Sequence, residues 1–211
     1  MYRVDAFRED RIEVMHALMR SHGLATLVTV RDGVPDADHI PMLIDPDPLP
    51  CGTLRGHVAR ANPVWRHAAG QEVLAIFHGP QTYVTPSWYP SKHETGQVVP
   101  TWNYAVVHAH GVLRAHDDRE WLRTLVTRLT DRQESAMPQP WRVEDAPAEY
   151  LERMLGAIVG IEIPVTRLDG KWKVSQNRND ADRSGVAAGL SLQDGDQART
   201  MAALVAGKRP V

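Results

Sequence analysis

The sequence has one cysteine, Cys51, and two phenylalanines, Phe7 and Phe77, among 211 residues. A lone cysteine excludes an intramolecular disulfide and any zinc site made of cysteines alone. Cys51 follows a proline-rich turn with no base beside it, and no GxSxG occurs, so nothing marks an activated nucleophile. GxGxxG and Walker-type glycine loops are missing too, which disfavours a Rossmann dinucleotide site and a P-loop NTPase. There is no apolar run long enough to span a membrane, and the opening "MYRVDAFRED" lacks the apolar core of a signal peptide, so the expectation is a cytoplasmic protein. Neither sign of charge dominates: 24 Lys and Arg stand against 26 Asp and Glu. The broad positive field of a nonspecific nucleic-acid binder is therefore absent, and any DNA contact would need a local patch.

What is there is mostly strand pattern. In "VVPTWNYAVVHAHG", residues 98–111, the side chains alternate from Tyr104 onward. Tyr104, Val106, His108, His110 and Val112 share one face, and Ala105, Val107, Ala109, Gly111 and Leu113 share the other. The second face is small and apolar, as the packed interior of a narrow barrel requires, which leaves the Tyr/His face for a ligand or another subunit. "FREDRIEVMHALMRSHG" puts Ile12, Met15, Leu18 and Met19 on one helical face ahead of Gly23. "LATLVTV", the turn "RDG" and "ADHIPMLID" read as a hairpin, with Pro41 predicting irregular pairing. "GTLRGHV" continues as a strand into a short helix with Asn62 as N-cap, Pro63 at its first position and Gly70 at its end.

"EVLAIFHGP" and "QTYVTP" read as a strand pair, and residues 87–100 as a long loop of the functional or mobile kind. Asp117 or Asp118 caps a helix running to Arg132, and "DAPAEYLERMLGAIVG" reads as a helix ending at Gly160. "IEIPVTRLDGKWKVSQN" reads as a hairpin closed by Asp169-Gly170, and the remainder as two short helices. Seven or eight hairpin-linked strands imply antiparallel pairing. The expected fold is mainly β with flanking helices, a barrel in one domain over residues 1–211.

Ten histidines invite a metal reading, and "HAH" sets His108 and His110 on one strand face. A third ligand would have to come from Asp38, His39 or His57, and neither HExxH nor a carboxylate cluster occurs, so no metal is expected. Three segments suit a planar anion instead. "TLRGHVARANP" runs Arg55, His57 and Arg60 into a helix start, which is a phosphate seat or else a set of solvated strand-end charges. "VPTWNY" offers Trp102 for stacking and the Asn103 amide for a heterocycle edge, unless Trp102 plugs a barrel end. "KWKVSQN" holds Trp172 between two lysines, suited to the same ligand or to a capped barrel edge.

These segments, with "PSWYPSKHETGQVVPTWNYAVVHAHG", "RLTDRQE", "RMLGAIVGIEIPVTRLDGKWKVSQN" and "DRSGVAAGL", resemble in order the PaiB family, described as FMN-binding negative transcriptional regulators. The resemblance runs over nearly the whole chain and is weakest beyond Leu192. It implies an antiparallel split β-barrel related to pyridoxamine phosphate oxidase, FMN as cofactor, and a homodimer with flavin sites at the subunit interface. By segment, it implies that "DHIPML", with His39, Ile40 and Pro41, gives backbone contacts to the flavin ring. Arg55, Gly56, His57 and Arg60 would hold the phosphate. Oxidase-type barrels carry adjacent Arg-Lys there, whereas this chain has Ala59-Arg60, so the second basic position falls to Arg55 or Lys92. Thr101, Trp102, Asn103, Tyr104 and Trp172 would meet the ring or the partner subunit.

Two functions compete on this basis. One is a flavin-binding transcriptional regulator, although no helix-turn-helix or basic stripe stands out. The other is a flavin reductase or oxidase in which "SWYPSKHETG" covers the ring and Lys92, His93 or Tyr104 supplies a proton. A haem-binding barrel with His93, His108 or His110 as axial ligand is the third reading.

Overall fold

Alternating apolar residues build long strands in this chain, and the computed structural model, which describes residues 1–48 and 50–207, has eight of them among those residues. In chain order the elements are β1 (Arg8–Glu9), α1 (Ile12–Ser21), β2 (Leu24–Arg31), β3 (Val34–Asp45), β4 (Thr53–Ala59), α2 (Val64–His67) and β5 (Glu72–Val84). There follow α3 (Ser91–Thr95), β6 (Thr101–Val112), β7 (Arg114–His116), α4 (Arg119–Glu134), α5 (Ala148–Gly156), β8 (Ile158–Lys173), α6 (Asp180–Ser191) and α7 (Asp196–Val205). The strands lie in the order β1-β8-β4-β3-β2-β5-β6, with β7 on β8, and β8 also pairs with β6, which closes the series as a barrel. β2 pairs antiparallel with β3 and β5, β4 with β3 and β8, and β8 with β1 and β7.

The chain groups into two compact units that interleave along the sequence. The first takes Met1–Arg11, His78–Val107 and the stretch from Asp169 onward, and the second takes Ile12–Phe77 and His108–Leu168.

In the second unit α1 buries Met15, Leu18 and Met19, the face its spacing marks out. β2 and β3 join through Asp32 and Gly33, both at positive φ, the backbone of a tight hairpin turn. Pro41 does not disrupt this hairpin: it pairs with Leu24 at the last rung, and Met42 begins the pairing with β4. A residue without an N–H thus sits where the strand changes partner. Asn62 caps α2 by accepting the Val64 N–H at 2.8 Å, and Asp118 caps α4 by accepting that of Trp121 at 2.7 Å. The helix before β8 stops at Gly156, not at Gly160. Gly160 lies within β8, where a Cβ would stand 2.1 Å from the Trp121 ring.

In the first unit α6 and α7 pack over an apolar cluster of Val84, Tyr89, Val186, Leu190, Met201 and Val205, with Trp172 against it. Residues 87–100 are not one open loop: they include the end of a 3-10 turn, Pro86–Trp88, and α3. Trp88 and Tyr89 anchor that stretch. Trp88 fills a notch between Gly185 and Gly189, and Tyr89 is fully buried under the Arg178 guanidinium, 4.7 Å from its ring. Asp182 accepts both the Ser91 N–H, at 3.1 Å, and the Ser91 hydroxyl, at 2.8 Å.

Two expected turns are instead places where a long strand changes its buried parity. β5 runs unbroken through Gly79-Pro80: Val73, Ala75 and Phe77 are buried before it, and Val84 is buried after it while Tyr83 turns outward. β8 runs unbroken through Asp169-Gly170: Val159, Ile161 and Ile163 are buried before it, and beyond it Trp172 meets the apolar cluster. Asp169 does not turn the chain because its carboxylate is buried against Arg3 at 3.0 Å, a partner far away in sequence. A glycine inside a strand marks a local distortion as readily as a turn.

Candidate functional site

Each unit carries part of the candidate set. In the second, β4, β8 and β7 lie side by side, so that Arg55, Glu162 and Arg114 form one rung and His57, Gly160 and His116 the second rung along, on the same face. Gly160 leaves room for Trp121, whose ring stacks on His116 at 4.4 Å with 8° between the planes. A cleft of about 370 Å³ opens beside this belt, with Arg55 and Arg128 in its lining along with Asp118, Trp121 and Leu125.

The guanidinium groups here are already engaged. Arg55 donates to Glu162 Oε2 at 2.9 Å and to Asp45, and Arg128 donates to the same Asp45 carboxylate at 3.0 Å. Asp45 is held below the usual carboxylate range by its hydrogen bonds to Arg128 and then by the charges of Arg128 and Arg55. Arg60 donates to Asp117 Oδ2 at 2.7 Å and to the carbonyls of Gly156 at 2.7 Å and Ile158 at 3.1 Å. It therefore ties the end of β4 to the start of β8. Gly56 is needed for packing, since a Cβ there would stand 2.9 Å from the Pro41 carbonyl oxygen. Burial lowers the His57 pKa, and its Nδ1 is buried without a hydrogen-bond partner.

His39, Ile40 and Pro41 lie on β3 just before it meets β4, whose register reaches only to Met42. Ile40 points inward at 3% exposure, and β2 pairs with this stretch on one side while Gly56 of β4 lies close to the Pro41 carbonyl on the other.

In the first unit the start of β6 separates its residues by parity. Trp102 and Tyr104 face outward, whereas Asn103 is 1% exposed and donates its amide to Ser175 Oγ at 2.9 Å. Asn103 is thus a core residue here, with its Oδ1 buried and unpartnered, and Ser175 adopts a positive φ of 64° to receive it. Trp172 is partly buried and packs against the apolar cluster. Trp102, 48% exposed, meets Tyr83 edge-on at 6.3 Å. Lys173 Nζ donates to Thr101 Oγ1 and to the Trp102 carbonyl, the latter at 3.0 Å, while Lys171 Nζ stands 5.4 Å from the Tyr104 ring and 5.8 Å from that of Tyr2. Lys92 is exposed on α3, 3.4 Å from Ser87 Oγ.

Tyr83 and Tyr2 are the aromatic members that sequence reasoning missed. Tyr83 becomes legible only once β5 is read through Gly79-Pro80 with its parity reversed. His110 Nε2 accepts from Arg167 at 2.9 Å, and no group of three metal-ligating side chains occurs among the described residues. No helix in that set is long and apolar enough to cross a membrane. The outward aromatic and cationic residues of the first unit have the chemistry that a planar, anionic flavin would need.

Comparison with known proteins agrees with this chemistry. Residues 1–167 match the family model described as "Putative FMN-binding domain". The chain is 31% identical over 209 residues to the protease synthase and sporulation protein PAI 2 of Bacillus subtilis, covering 99% of this chain and 98% of that one. It is 33% identical over 241 residues to the uncharacterized protein AN0679 of Emericella nidulans, covering 97% and 96%. Among solved structures, the FAD and heme binding protein from Mycobacterium smegmatis superposes with a TM-score of 0.62 at 22% identity, over 86% of this chain and 80% of that one. The flavocytochrome Anf3 from Azotobacter vinelandii gives 0.59 at 13% identity, over 82% and 72%. Those two likenesses concern the fold, a split barrel, while the family match is one of sequence, over residues 1–167. The chain belongs to the PaiB-type family of FMN-binding domains.

Proposed function

We propose that this protein is a flavin-binding regulator of the PaiB kind: a homodimer that takes FMN against the outward face of β6 and adjusts gene expression. The observation that carries the flavin part is the exposed pair Tyr83 and Trp102 with Lys171 and Lys173 beside it, a stacking surface with a charge complementary to FMN. The regulatory part rests on the full-length similarity to the Bacillus subtilis protein, whose name ties it to protease synthesis and sporulation. Cytoplasmic residence follows from that role.

The test is titration of the purified chain with FMN, followed by flavin fluorescence, with mass in solution measured alongside. Saturation at one FMN per subunit of a dimer supports the reading, and a chain that leaves FMN fluorescence unchanged overturns it. Retention of a preferred DNA sequence at low salt supports direct regulation. Rapid reduction of bound FMN by NADH or NADPH, without DNA binding, points to an oxidoreductase.

A further inference from the structure

The arginines beside the second-unit belt spend their charge on carboxylates of the same chain. The lysines at the end of β8 do not: no carboxylate stands within ion-pair distance of Lys171 or Lys173 among the described residues. Resting on the flavin reading above, we propose that Lys171 and Lys173 hold the phosphate of the flavin, and that Arg55 and Arg60 are structural.

Three observations carry this. The first is charge balance. Arg55 would have to leave Asp45 and Glu162 to take a phosphate, and Arg60 would have to leave Asp117 and two backbone carbonyls. Lys171 Nζ donates to one neutral acceptor, the Tyr2 carbonyl at 3.2 Å, and Lys173 Nζ to two, Thr101 Oγ1 and the Trp102 carbonyl. An ammonium has three donors, so each lysine keeps a donor and its whole charge.

The second is placement. Residues two apart on a strand project to the same side, roughly 7 Å from one another, which brackets a phosphate. Lys171 lies over the Tyr104 ring and Lys173 bonds to the Trp102 carbonyl, so both stand along the aromatic edge of β6. Trp172, between them in sequence, turns the other way and packs against the apolar cluster. The third is the surroundings: Tyr2 and Tyr104 flank Lys171, and low-dielectric aromatic walls strengthen attraction between an ammonium and a phosphate dianion.

Riboflavin has the same ring and no phosphate, which makes it the discriminating probe. FMN and riboflavin are each titrated into the wild-type chain, K171Q/K173Q, K171R/K173R and R55Q, with melting temperatures recorded to show that each variant is folded. The wild type is expected to prefer FMN by about 10- to 100-fold, the range of charged hydrogen bonds. K171Q/K173Q should lose that preference while keeping its riboflavin affinity, and K171R/K173R and folded R55Q should keep the preference. A K171Q/K173Q protein that still prefers FMN, or that loses both flavins equally, overturns the proposal while leaving flavin binding intact. A wild type that binds neither flavin overturns the flavin reading, and this assignment with it.

Discussion

The indole of Trp88 occupies the space that a side chain at Gly189 would need, since a Cβ there would stand 2.4 Å from the ring. At Gly185 the same atom would stand 2.0 Å from the Trp88 carbonyl oxygen. The two glycines of "DRSGVAAGL" are therefore a seat for Trp88 in the segment that leads into β6. Gly189→Ala should destabilise the protein by about 1–3 kcal/mol, the usual cost of overpacking. For a chain of this size that is a fall in Tm of roughly 2–4 °C per kcal/mol. An unchanged melting curve would show that Trp88 does not depend on this notch.

Gly160 and Trp121 make a second close pair, and here the prediction concerns coupling. Gly160→Ala should cost about 1–3 kcal/mol by displacing the indole from its stack on His116. Trp121→Leu in the same background should recover part of that cost, because the clash goes with the ring. A double-mutant cycle measures this, and strict additivity would place the two residues out of contact.

The two tryptophans expected to meet a ligand should separate cleanly. Trp102→Ala removes an exposed ring, so Tm should hardly move while FMN affinity falls by about 0.5–1.5 kcal/mol. Trp172→Ala opens a space in the cluster beneath α6 and α7 and should cost about 2–3 kcal/mol of stability, less than full burial would give. Calorimetry and flavin titration on both variants decide it, and a loss of stability in Trp102→Ala alone would reverse the assignment.

Acid should act in two stages. The folded pKa of His57 lies below its unfolded value because burial disfavours the imidazolium. Its contribution is complete above the unfolded value of about 6.5 and declines as pH falls below that. Asp45 is depressed by Arg128 and Arg55, so its contribution is complete above about 3.9 and is lost as pH falls through its lower folded value. Unfolding free energy measured against pH should show both declines. His57→Leu should flatten the first, while Asp45→Asn should flatten the second and cost about 1.5–3 kcal/mol near neutrality by weakening the bonds from two guanidiniums.

Local chemistry made much of the fold legible in the sequence. The alternation after Tyr104, the caps at Asn62 and Asp118, the face of α1 and the two closing helices follow from spacing and short-range hydrogen bonds. What was not legible depends on distant partners. Asp169-Gly170 has the chemistry of a turn, and distant partners, Arg3 on the Asp169 carboxylate and Glu9 opposite Gly170, hold it within a strand. Gly160 has the look of a helix end, and only Trp121 explains why a side chain is missing there. The candidate site divides in the same way. That Arg55 and Arg60 could bind phosphate is a property of residue type, but Asp45, Glu162 and Asp117 already hold them, and they come from other parts of the chain. Strand parity puts Asn103 and Trp102 on opposite faces, but the partner that the inward Asn103 amide meets, Ser175, comes from a distant part of the chain.

The interleaving of the two units limits how this protein can be taken apart. One unit is assembled from three stretches of chain and the other from two, and β5, β6 and β8 each cross a boundary between them without a break. No single segment of the gene encodes either unit, so truncation cannot yield one of them in isolation. A premature stop before β8, or a cut within it, removes strand material that both units use. Fragments should regain structure only when the missing length of chain is supplied in trans.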